Sequence, residues 1–250
     1  MNIATRRLRG YAGRRAPLQH QSGVTMVEFA IVSPFALLFV LSIIQLGLMY
    51  TAKQVVNEGT FLAARAGAVQ NAQVGTMTDT MVRALVPFYQ DTGDSDNFTR
   101  LTAALVNAKI DTTCVPLHCF LNVQVINPTA AAFDDFGITS AASDGHIYIP
   151  NDNLEFRSHT VTGPSSGLSI QDANALRIKV TYGYQLKVPL MKAVFNAIMC
   201  GVSTGIGAFG TTRVPGADGS DCLDFYSQGR VPLVSYATVQ MQTPAWKPDD

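Results

Sequence analysis

Charge is scarce in this chain and unevenly placed. Asp, Glu, Lys and Arg make up 14% of the 250 residues; residues 1–23 hold no acid, and the 24 residues of 29–52 hold no charge at all. The missing acids leave 1–23 a basic leader, in which Arg6, Arg7, Arg9, Arg14 and Arg15 carry +5 against a net −5 for the rest. A nucleic-acid-binding arm would bring aromatic or recognition-helix context, which so short a leader lacks. The missing charge in 29–52 allows the whole stretch to be buried in lipid. At about 1.5 Å per residue it makes roughly 36 Å of helix, enough to cross a hydrocarbon core of about 30 Å.

Basic residues beside an apolar run resist translocation, so the amino terminus is expected to stay cytoplasmic and the rest to lie across the membrane. A cleaved secretory signal would have an apolar region of roughly 7 to 15 residues followed by a small-residue cleavage site. Here the pattern is longer and continues through Tyr50-Thr51-Ala52-Lys53 without a turn signal, which favours a retained anchor. Pro34 lies inside it and removes one backbone donor, so a bend is expected, with the freed carbonyl of Ala30 satisfied by Ser33 or a neighbouring helix. One acid, Glu28, stands at the entrance. An acid there suits a helix amino terminus, but at the edge of hydrocarbon its charge calls for a cationic partner.

Reactive chemistry is also thin. Gly201-Val202-Ser203-Thr204-Gly205 fits the hydrolase elbow pattern, yet that arrangement needs a later His, and His20, His118, His146 and His159 all come earlier. Gly205-Ile206-Gly207-Ala208-Phe209-Gly210 fits the dinucleotide pattern, but Thr211-Thr212-Arg213-Val214-Pro215 follows where a helix should start. The polar loop 91–97 lacks calcium-loop spacing. Cys114, His118 and Cys119 fall short of four zinc ligands. No enzyme activity, cofactor or metal is expected. Cys114, Cys119, Cys200 and Cys222 all follow the apolar run, and four cysteines in an exported domain suggest disulfides in one of three connectivities, Cys114 with Cys119 and Cys200 with Cys222 being the most local.

Beyond the apolar run, 57–69 continues as an alanine-rich helix in which Gly59, Ala63 and Gly67 recur every four residues. That stripe suits either close approach of a partner helix or packing of a stem on its own domain. A second helix is expected over 78–89 with Asp79 near its cap, and another over 189–200. Period-two alternation predicts strands at 121–126, 147–149, 176–182 and 234–241, each with one buried and one wet face. The expected fold is α+β: a basic leader (1–23), a membrane-spanning helix and stem (24–70), and a head (71–250) with an antiparallel sheet packed on helix. Residues 201–220 are expected to be an exposed loop.

Gly23-Val24-Thr25-Met26-Val27-Glu28-Phe29 resembles the processing site of type IV prepilins and pseudopilins. Together with Pro34, the apolar helix and Phe61-Leu62-Ala63-Ala64-Arg65-Ala66-Gly67, it is similar to TadE-like pseudopilins of the tight-adherence (Flp-type) pilus system. The resemblance covers mainly residues 20–70. It implies cleavage between Gly23 and Val24 by a prepilin peptidase, with Glu28 as the fifth mature residue beside Phe29. It further implies assembly with other pilins and inner-membrane pilus components, and a role in attachment. The protein would cross the bacterial inner membrane once, its head periplasmic or carried into an extracellular pilus. The other reading is a signal-anchored binding module that never enters a pilus.

Overall fold

A computed structural model describes residues 25–91, 93, 96–113, 119–139, 145–200 and 225–248. The chain divides into two compact units, Met1–Val40 and Leu41–Asp250. One element passes through both: α1, Thr25–Val69, whose helical assignment continues through Pro34.

The described part of the first unit is the opening of α1, with Met26, Phe29, Ile31, Val32, Phe35, Leu37 and Phe39 all exposed. The second unit begins where α1 acquires a buried face. Past Val69 the chain turns through Asn71 and Ala72, both at positive φ, and the Ala72 amide donates to the carbonyl of Gly67. The next helix, α2, therefore starts at Val74 and runs to Leu85, with Gln73 at the N-cap position but no capping bond from its side chain. Asp79 lies within it rather than at its cap. A short tight helix at Val86–Tyr89 leads to α3, Asn97–Thr112, where the Asp96 side chain accepts from the Thr99 amide. Helix α3 is additional to the helices that the sequence predicts.

The sheet that carries the head has three strands, β1 (Leu121–Asn127), β4 (Ala175–Gln185) and β5 (Arg230–Gln240). Between β1 and β4 come α4 (Ala130–Phe136), β2 (Ile138–Thr139), β3 (Ile147–Ile149) and α5 (Ile170–Ala173). The order is β1-β4-β5, antiparallel throughout, with Val123 opposite Val180 and Val180 opposite Ser235. Leu176, Ile178, Val180, Tyr182 and Tyr184 are buried on one face of β4, while Arg177 is exposed on the other. There its guanidinium lies over the Tyr236 ring. This is the half-wet sheet that period-two alternation predicts. After β4, α6 (Met191–Cys200) precedes β5, and β6 (Ala245–Trp246) closes a small second sheet in the order β2-β3-β6.

The second half of α1 lies along the large sheet, antiparallel to β4. Four contacts fix the direction: Gln45 Oε1 accepts from the Val188 amide at 3.0 Å, Lys53 Nζ donates to the carbonyl of Val234, Gly67 faces Leu176, and Ala68 O accepts from the Gln242 amide at 2.9 Å. Helix and strand therefore share one long axis. Its Gln45 end lies beside the Leu186–Met191 turn, and its Ala68 end beside the start of β4.

Candidate functional site

The candidate site is α1 itself, which combines a long series of large exposed apolar side chains with an acid at its start. Glu28 is in the first turn and exposed, where the helix dipole favours a negative charge by about 0.3 to 1 kcal/mol. Its neighbour Phe29 is 72% exposed. Met26–Val69 is long and apolar enough to cross a membrane. One amino-terminal helix of this kind suggests membrane anchoring. Gly23 and Val24 lie outside the described residues, as do Ser203 and the glycine-rich stretch 205–210.

From Leu41 onward the helix changes character. Gln45 is wholly buried in protein, and Ser42 Oγ is 3.7 Å from the Met191 sulfur. Ala52, Val56, Thr60, Ala63, Ala64 and Ala68 are buried, and Thr60 satisfies its hydroxyl on the Val56 carbonyl at 2.6 Å. The small-residue stripe is filled from within the head. A Cβ on Gly59 would meet the Met81 sulfur and the Ala84 methyl, each at 2.9 Å, and one on Gly67 would meet the Met77 sulfur at 2.5 Å. Ala63 lies between them at zero exposure. The stripe is the slot into which α2 inserts two methionines. Pro34 is exposed on the unit before it.

Cys119 is disulfide-bonded. Cys114 and Cys222 lie outside the described residues, and Cys200 ends α6. Among the described residues no group of three His, Cys, Asp or Glu stands close enough to hold a metal.

A concentrated polar cluster joins α3 to the sheet. Asp111 accepts from Arg230 through both oxygens, at 2.5 and 2.9 Å, and from the Tyr89 hydroxyl at 2.5 Å. Tyr89 Oη is 3.0 Å from that of Tyr182, and Arg230 also donates to the Gly183 carbonyl and lies 4.0 Å over the Phe120 ring. Burial pushes the Asp111 carboxyl up. Hydrogen bonds from Arg230 and Tyr89, the Arg230 charge and the more distant Lys187 charge outweigh this and hold it below its ordinary value. Burial, then the neighbouring Tyr182 and Asp111, push the Tyr89 hydroxyl well above its ordinary value. Each oxygen of the carboxylate already has a donor, so the cluster fastens α3 to β5 and offers no free base. Asp111 lies 22 residues from Tyr89 and 119 from Arg230, and no sequence spacing signals them.

No curated protein and no solved structure matches the chain. A family model does match: residues 23–65 fit the family described as TadE-like protein, a span that begins at Gly23, contains Glu28 and Pro34, and extends along α1 past Gly59 and Ala63. The chain therefore carries an amino-terminal segment similar to TadE-like proteins.

Proposed function

We propose that this protein is a minor pilin or pseudopilin of a tight-adherence pilus, held in the inner membrane by α1 with its leader cytoplasmic and its head periplasmic. A prepilin peptidase removes residues 1–23, and Val24 becomes the new amino terminus. The observation that carries the reading is the first-turn acid, Glu28, set immediately before a run of exposed Phe, Ile, Val and Leu within the matched segment. An ionised carboxylate at the edge of hydrocarbon is costly unless compensated. The free amino group of a neighbouring subunit's mature first residue supplies the opposite charge, so Glu28 and Phe29 act as the docking element for other pilins and the inner-membrane assembly components. The head then serves attachment.

The test is amino-terminal sequencing of protein purified from membranes, combined with Glu28→Ala. The expected outcome is a mature chain that starts at Val24, and a variant that is still cleaved and inserted but no longer recovered with pilus components. An intact Met1 defeats the processing claim. Full assembly of Glu28→Ala favours the second reading, an anchored binding module outside any pilus.

A further inference from the structure

We infer that the turn between β4 and α6 is a membrane foot: Lys187, Pro189, Leu190 and Lys192 seat the head on the headgroup layer of an anionic lipid surface, and the lipid-embedded part of α1 is residues 26–44. The inference rests on the reading of α1 as a membrane anchor.

Three observations lead there. The uncharged run is longer than a bilayer needs, about 36 Å against a core of about 30 Å, and protein already covers one face of its last part, at Gln45 and Ala52, while Leu46, Leu48 and Tyr50 stay exposed. Gln45 is fully buried under Val188, and Ser42 meets Met191. Residues 26–44 leave about 28 Å of helix, which matches the core thickness and puts the lipid boundary at Gln45. That is also the end of the helix–strand axis where β4 runs out.

At this end the head presents an apolar tip. Pro189 and Leu190 are exposed, Leu190 by 59%, and Leu190 is held at φ +66. A large apolar residue kept outward in a left-handed conformation is poorly explained by water as its neighbour. Beside it, α6 carries a single charge in ten residues, Lys192.

The third observation is charge. Lys187 and Lys192 are exposed on either side of Leu190, and the methylenes of Lys192 pack over Gly229, at the approach a Cβ there would block. A lysine stem laid on protein with its ammonium outward, beside an inserted apolar side chain, is the arrangement that headgroup phosphates favour.

Tryptophan quenching by lipid tests it on the full chain. Trp246 is the only native tryptophan, so Trp246→Phe provides a silent background for Leu190→Trp, Pro189→Trp, Phe35→Trp and Phe156→Trp. Phe156 is 80% exposed near the start of β4, at the far end of the sheet axis. The protein is placed in bilayers of phosphatidylcholine and phosphatidylglycerol, with or without brominated acyl chains. Phe35→Trp should be strongly quenched, Leu190→Trp and Pro189→Trp several-fold more than Phe156→Trp, and Phe156→Trp unaffected. Lys187→Glu with Lys192→Glu should reduce the quenching at position 190, and omission of phosphatidylglycerol should do the same. Quenching at 189 and 190 no greater than at 156, with Phe35→Trp quenched, overturns the foot and leaves the anchor intact. An unquenched Phe35→Trp overturns the anchor reading as well. Indifference to both the lysine reversals and the anionic lipid overturns the assignment to an anionic surface.

Discussion

Neutralising Asp111 while leaving Arg230 in place should destabilise the head, and removing both partners should cost less than the two separate losses added together. In Asp111→Asn the shape is kept, but a guanidinium whose side chain is 10% exposed loses its counter-charge. Breaking a fully buried pair costs about 3 to 5 kcal/mol. The Asp111 side chain is 27% exposed, so water compensates part of this and about 2 to 3 kcal/mol is expected. For a unit of this size that corresponds to a midpoint lower by about 5 to 10 °C. Arg230→Met should cost less, about 1 to 2 kcal/mol, because the remaining carboxylate keeps the Tyr89 hydroxyl and its access to water. The double variant should fall short of the sum by at least about 1 kcal/mol, the coupling of the pair. Trp246, stacked on His146 with ring centroids 5.1 Å apart, reports head unfolding by fluorescence in detergent while α1 stays helical. The pH dependence has a fixed sign. The folded carboxyl is held below its unfolded value, so its contribution is complete above about pH 4 and is lost as pH falls through the folded value. Asp111→Asn should therefore flatten the acid limb of the stability curve. A stability loss below about 0.5 kcal/mol for Asp111→Asn, or additive costs in the double variant, would refute the view that this pair fastens α3 to the sheet.

Two further outcomes follow from the same packing. Alanine should have opposite effects at two helical glycines: Gly75→Ala meets nothing within 4 Å and should gain up to about 1 kcal/mol from helix propensity, whereas Gly67→Ala meets the Met77 sulfur at 2.5 Å and Leu176 at 3.0 Å and should lose about 1 to 2 kcal/mol net. Chemical denaturation followed by Trp246 measures both, and a stabilised Gly67→Ala would mean that Met77 swings aside at no cost. Tyr89→Phe should lose about 1 kcal/mol at neutral pH and soften the alkaline limb. The raised hydroxyl contributes stability that is complete below its unfolded value near pH 10 and is lost as pH rises toward the folded one, so an unchanged alkaline limb would remove Tyr89 as its source.

The large sheet was legible because one of its faces is wet. Leu176, Ile178, Val180 and Tyr182 alternate with Arg177, Lys179 and Thr181, and the observed strands extend the expected ones by a few residues at their ends. Helix α3 escaped for the opposite reason: its buried face is Ala104, Ala108 and Thr112, while Phe98 and Ile110 are 78% and 69% exposed. Hydrophobic periodicity points such a helix the wrong way round. The start of α2 was hidden because Asn71 and Ala72 make the left-handed turn without a glycine. The Gly59, Ala63 and Gly67 stripe was visible, but small size says only that something approaches closely. That the visitors are Met77 and Met81 depends on a fold-back that no local pattern encodes.

The uncharged run shows how two environments can be written in one hydropathy. Through residues 26–44 the exposed side chains are Phe, Leu, Ile and Val; from Ala52 to Ala68 the buried ones are chiefly Ala, Gly and Thr. Fluid lipid conforms to bulky side chains and gains contact from them, whereas a packed sheet and a neighbouring helix admit α1 only where its own side chains are short. Hydropathy averages over this change, but side-chain size does not. The change falls between Ile44 and Ala52, and within that interval Gln45 is the one amide, buried by Val188 rather than facing lipid. The lone amide of the uncharged run thus marks where α1 gains its buried face, and the exposed Leu190 with its flanking lysines lies at the same level of the head.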